Sequence, residues 1–172
     1  MSDWLPDKKW TDAYMPEIKR ICGEHLLGQA PEEEDVHHNT DLIVLRMSAI
    51  RIGVRIRRPG YLANFHDQFT LRTSRPSGAD TERAKIIAGW GDYFFYGFAG
   101  KDGTLDCWLL GDLKVFRRWH SVRLALDEGR VPGERLANAD GSSTFCAYRI
   151  SDLPADFVIA RLTATVDQPV LW

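Results

Sequence analysis

Asp41, the Arg55-x-Arg57 pair and Thr81-Glu82-x-x-Lys85 are the residues whose types and spacing suit chemistry on a phosphate. Asp41 sits where a polar, acidic segment enters an apolar run. A carboxylate at such an edge suits Mg²⁺ or Mn²⁺, which take oxygen ligands and few protein groups. Arg55 and Arg57 lie two apart on a predicted strand, hence on one face, and a guanidinium fork grips phosphate oxygens in pairs. Glu82 falls at a predicted helix start, with Lys85 three residues on along the same side. Metal ligation by Asp41 and Glu82, with Arg57 or Lys85 near the scissile phosphate, would supply a Lewis acid, an activated water and charge stabilisation for phosphodiester hydrolysis.

Plainer roles stand beside these. Asp41 can simply end a loop on backbone amides, and Glu82 is also what a helix N-terminus favours. Glu82 with Lys85 can be a surface pair worth ~0.2–0.5 kcal/mol. Glu24, on the first predicted helix, either joins the metal or stays solvated, and His120 reads as a residue of a helix surface rather than a base. Cys22-x-x-His25 with His37-His38 offers four zinc-capable side chains, but adjacent loop histidines rarely face one ion. There is no G-x-S-x-G, and no glycine loop ending in Lys-Ser/Thr, so acyl transfer and nucleoside triphosphate chemistry are not indicated.

The elements that must position these residues follow from periodicity. Tyr14, Ile18, Ile21, Cys22 and Leu26 make the apolar stripe of a helix over 10–27. Residues 29–40 read as a polar loop and 41–45 as a short buried strand. Over 48–58, Ile50, Ile52, Val54 and Ile56 alternate with Arg51, Gly53, Arg55 and Arg57, giving one apolar and one arginine face. A third strand spans 69–75, and Asp80 or Thr81 can cap a helix to about 90. Residues 93–98 and 105–110 flank Lys101-Asp-Gly-Thr104 as a hairpin. Asp112 opens a helix over 113–126, 127–143 reads as a long loop, 144–150 as a last strand, and 151–159 as a short final helix. The expected architecture is α/β, a single mixed sheet flanked by helices.

The 172 residues, 44 % hydrophobic and 27 % charged, are enough for one core, so a single domain over 1–172 is expected. No apolar run approaches the ~20 residues of a membrane span, and the N-terminus lacks a basic flank before an apolar stretch. Three widely spaced cysteines suit a reducing compartment, so a cytoplasmic protein without membrane association is expected.

The net charge of −2 hides segregation. From Glu24 to Asp41 there are six acids and no Lys or Arg; from Arg46 to Lys85 there are nine bases against Asp67, Asp80 and Glu82. The basic stretch can track a polyanion, with Arg72 and Arg75 extending the path from Arg55 and Arg57, or be a solvated sheet face balancing the acidic loop. The acidic run Glu32 to Asp35 can be a solvated loop or a mimic of nucleic acid. Six tryptophans leave room for a homodimer or a protein partner, although packing within one chain accounts for them equally.

The order helix, three strands, helix, strand, with an acid entering one strand and a charged x-spaced pair on the next, resembles the PD-(D/E)XK nuclease superfamily over roughly 10–98. Residues 99–172 add a hairpin strand, helices and a last strand. By position, Thr40-Asp41 is similar to the family's first acid, Arg55-Ile56-Arg57 stands in the place of its acid-x-lysine pair, and Glu24 matches the first-helix acid. Arg55 cannot ligate a metal; some restriction endonucleases of this superfamily carry the second acid on the following helix, where Glu82 falls. The resemblance implies a restriction-endonuclease-like fold and Mg²⁺- or Mn²⁺-dependent cleavage of nucleic acid, DNA ahead of RNA. The alternative is a non-catalytic nucleic-acid- or protein-binding module on that fold. Ile56 to Tyr61, Phe69 to Arg72 and Thr81 to Gly97 also resemble small proteins of tailed phages and prophages, which would set the chain in a bacterial host cell.

Overall fold

The structure, a computed structural model, describes residues 4–26, 28–29, 42–43, 50–74, 76–138 and 140–163. Helix α1 spans Trp4–Leu26, longer at its start than the apolar stripe alone indicates. Strands β1 (Gly28–Gln29) and β2 (Leu42–Ile43) form a short antiparallel pair. Then come β3 (Ile52–Arg57), α2 (Leu62–Phe65), β4 (Gln68–Ser74), α3 (Glu82–Ile87), β5 (Tyr93–Ala99), β6 (Leu105–Asp112) and α4 (Leu113–Leu126). The chain continues through β7 (Glu134–Ala137), β8 (Thr144–Arg149), two 3₁₀ turns (Ile150–Asp152 and Ala155–Phe157) and β9 (Val158–Leu162). Asp41, Arg75 and most of the expected loop over 29–40 lie outside the described residues.

The strands form two principal sheets rather than the single mixed sheet expected. A mixed sheet runs β3-β5-β6-β9, with β3 parallel to β5 and the other neighbours antiparallel; a second, antiparallel sheet runs β4-β8-β7. The reason lies between β3 and β4. Pro59-Gly60, with Gly60 at φ +94°, and the single turn of α2 carry the chain off the β3 edge. Strand β4 then pairs with β8, placing Phe69 opposite Tyr148 and Leu71 opposite Cys146.

Two further expectations change. Part of the 127–143 loop is strand β7, whose Arg135 and Leu136 pair with Cys146 and Phe145. The expected final helix is two 3₁₀ turns followed by β9, with Phe157 packed against Gly111 of β6, where any Cβ would fall within 2.5 Å of its ring.

Two apolar cores lie on opposite faces of the four-stranded sheet. Tyr14, Ile18, Ile21 and Cys22 of α1 pack on Ile56, Phe95, Leu105 and Leu110. On the other face, Phe94, Tyr96 and Leu109 meet Phe69 and Leu71 of β4, Cys146 and Tyr148 of β8, and Leu113 and Phe116 of α4. Phe69 anchors this second core, with ring centroids 5.4–6.2 Å from Phe94, Tyr96, Phe116, Tyr148 and Phe157. Cys22, Cys107 and Cys146 are buried, unbridged thiols. Among the described residues no helix is long and apolar enough to cross a membrane.

Candidate functional site

Strand β3 is an edge of the four-stranded sheet and β4 an edge of the three-stranded one, and the cleft between them gathers most of the expected arginines. Alternation along β3 sends Ile52, Val54 and Ile56 toward α1, which leaves Arg55 and Arg57 on the opposite face. Thr81 caps α3 by accepting from the Ala84 amide at 3.3 Å, which fixes Glu82 in the first turn. From there the Glu82 carboxylate reaches back over β4. Its Oε2 accepts from Arg55 Nη1 at 2.8 Å and from the Arg72 backbone amide at 3.2 Å. Arg55 Nη1 also reaches the Thr70 carbonyl at 3.4 Å, so one guanidinium ties β3, β4 and α3 together.

The cleft has a volume of about 320 Å³. Four arginines line it, Arg55, Arg57, Arg58 and Arg72, with Glu82 the one carboxylate among its described lining residues. Two aromatic rings complete the wall. The Arg57 guanidinium lies 4.1 Å from the Tyr61 ring centroid and that of Arg58 6.0 Å from Trp10, which holds both charges in position while leaving them accessible. The Trp10 indole Nε1, also at this cleft, is buried without a hydrogen-bond partner among the described residues.

Of the expected site, Arg55, Arg57, Arg72 and Glu82 come together. Lys85 does not join them: it is exposed in the last turn of α3 and does not line the cleft. Glu24 is also elsewhere, exposed on α1 and paired with Arg20 at 2.5 Å. Asp41 and Arg75 lie outside the described residues. Arg58, Tyr61 and Trp10 were missed by the sequence reading. Their signal was an aromatic residue close behind a run of arginines, Arg55-Ile-Arg-Arg-Pro-Gly-Tyr61, which is the interleaving a stacking phosphate site uses.

His120 is not a helix-surface residue. It is 5 % exposed, its ring 5.9 Å from that of Phe116, and its Nε2 has no partner among the described residues. Burial holds its pKa below the usual value, and the charge of Arg83 pushes the same way. Burial likewise raises the Tyr148 phenol above its ordinary range, the nearby Cys146 adding to the shift and Arg83 opposing it.

A metal at Glu82 would sit among guanidinium groups, on a carboxylate oxygen already accepting two N–H donors. Among the described residues no group of three His, Cys, Asp or Glu is placed to hold a metal ion. The described lining thus holds four guanidinium groups and one carboxylate that is already engaged. Comparison with protein-family models, curated proteins and solved structures finds no match to this chain.

Proposed function

We propose that the chain binds nucleic acid through the cleft between β3 and β4, holding phosphates with Arg57, Arg58 and Arg72 and offering the Tyr61 and Trp10 rings to exposed bases. One observation carries this reading: four arginines share the cleft with one carboxylate, and that carboxylate is already engaged by Arg55 and the Arg72 amide. Arg55 acts mainly as a strut, while Arg57, Arg58 and Arg72 bring to the cleft more positive charge than its one described carboxylate balances. Guanidinium forks fit phosphate oxygens, and aromatic faces accept any base, so binding should be sequence-tolerant and strongly salt-dependent.

A PD-(D/E)XK-type phosphodiesterase is the second reading. What favours it is that Glu82 and Arg55-x-Arg57 share one cleft. Its first acid, Asp41, lies outside the described residues, and the one described carboxylate of the cleft is already engaged, so no catalytic step is assigned. The test for both is binding of labelled single-stranded and duplex DNA and of RNA by wild type, Arg57→Gln and Asp41→Ala, with Mg²⁺ and with EDTA. Metal-independent binding that weakens in Arg57→Gln and persists in Asp41→Ala supports the binding protein. Metal-dependent cleavage lost in Asp41→Ala supports the phosphodiesterase.

A further inference from the structure

A second pocket, of about 410 Å³, opens beside the three-stranded sheet. Thr73 of β4, Arg83 of α3, Arg135 of β7, Cys146 of β8 and Arg130 of the α4–β7 connection line it. Arg135 stands directly opposite Cys146 in the β7–β8 pairing, so the two side chains share a face. Cys146 is 3 % exposed and belongs to the aromatic core, whereas Arg135, on the edge strand β7, is exposed. Three arginines from three separate elements therefore converge on one concavity.

Nothing described neutralises them. No acidic residue is among the described residues lining this pocket, and Arg83, Arg130 and Arg135 form no ion pair among the described residues, whereas Arg20, Arg55, Arg118 and Arg123 each do. Like charges gathered at one place repel, and an anion seated among them removes that cost. Two buried polar side chains lie close enough to sense the Arg83 charge: Tyr148, whose hydroxyl Arg83 itself approaches as a hydrogen-bond donor, and His120, whose Nε2 has no hydrogen-bond partner among the described residues. Both side chains are at least 95 % buried. An unsatisfied buried polar group points to a missing partner, water or ligand.

We infer that this pocket binds the phosphate group of a small phosphate-bearing molecule, separately from the cleft between β3 and β4. Phosphate fits better than carboxylate because its oxygens can meet guanidinium forks approaching from three directions, whereas a carboxylate satisfies one fork and leaves the others unmatched. The volume is in the range of small-molecule sites.

Calorimetric titration with inorganic phosphate and with pyrophosphate, at fixed ionic strength, tests this on wild type, Arg83→Gln, Arg135→Gln and Arg57→Gln. Each of the two pocket variants should bind about tenfold or more weakly than wild type, as loss of a charge-assisted hydrogen bond implies, whereas Arg57→Gln should lose only what the cleft contributes and keep the pocket's binding. If Arg83→Gln fails to fold, Arg130→Gln on the exposed connection carries the same expectation. Oligonucleotide binding should be unchanged in Arg135→Gln. The inference is overturned if wild type binds neither anion, if the pocket variants bind as wild type does, if Arg57→Gln abolishes phosphate binding, or if Arg135→Gln loses oligonucleotide affinity as Arg57→Gln does.

Discussion

Arg72 and Thr73 are neighbours on β4, and Glu82 and Arg83 are neighbours on α3, yet the first of each pair lines the cleft and the second lines the other pocket. In the cleft, Glu82 meets Arg55 and the Arg72 amide and makes a braced edge between two sheets. In the pocket, Arg83 meets Arg130 and Arg135, and no described acid answers them. The same residue type thus does different work: one guanidinium of the cleft is paired with Glu82 as a structural brace, whereas the pocket's three charges have no described counterion.

The comparison can be broken first at its support. Both sites hang on β4, and β4 is held by Phe69 among five aromatic rings. Phe69→Ala should cost about 3–5 kcal/mol in denaturant unfolding, through lost burial and the cavity left behind. A loss below ~1 kcal/mol would mean that the aromatic core does not anchor β4. Next in size, Glu82→Gln removes the brace. Because the Arg55–Glu82 pair is mostly buried, the change should cost about 1–3 kcal/mol, and removal of the negative charge should strengthen oligonucleotide binding. A metal-dependent phosphodiesterase would instead lose turnover in this variant.

Smaller again, Arg57→Gln should leave stability within about 0.5 kcal/mol and lower the slope of log K against log salt by about 1. An unchanged slope would remove Arg57 from the phosphate path. Smallest is the pH effect of His120. The unfolded chain takes up its proton near the usual pKa of ~6.5, whereas the folded protein resists it, so the stabilisation is complete above that pH and declines as pH falls toward the lower folded value. Thermal unfolding from pH 7.5 down to pH 5 should show a decline that His120→Leu flattens; an equal decline in both would remove His120 as its source.

Much of this was legible beforehand, and what was not has physical causes. Local signals worked where one residue decides: Asp112 caps α4 through the Lys114 and Val115 amides, Thr81 caps α3, and the Asp102-Gly103 turn closes the β5–β6 hairpin. The alternation of 52–57 correctly separated an apolar face from Arg55 and Arg57. Pairing of β4 with β8 was not legible, because the two strands are some seventy residues apart and nothing local distinguishes that partner from β3. Strand β7 escaped for the same reason: Arg135 and Leu136 alone signal little until β8 lies beside them. The second pocket was out of reach altogether, since Arg83, Arg130 and Arg135 meet only through the fold. His120 was misread although Leu113 and Phe116, seven and four residues before it, mark its helix face as the buried one.

The central claim is that the cleft between β3 and β4 holds phosphates with charges that Glu82 does not consume. Fluorescence anisotropy of a labelled single-stranded oligonucleotide, titrated with wild type and Arg57→Gln across a series of salt concentrations in EDTA, tests it most directly. The account predicts metal-independent binding by wild type, weakening steeply with salt, and a shallower slope with uniformly lower affinity in Arg57→Gln. Absence of binding at low salt, or identical salt slopes for the two proteins, would contradict it.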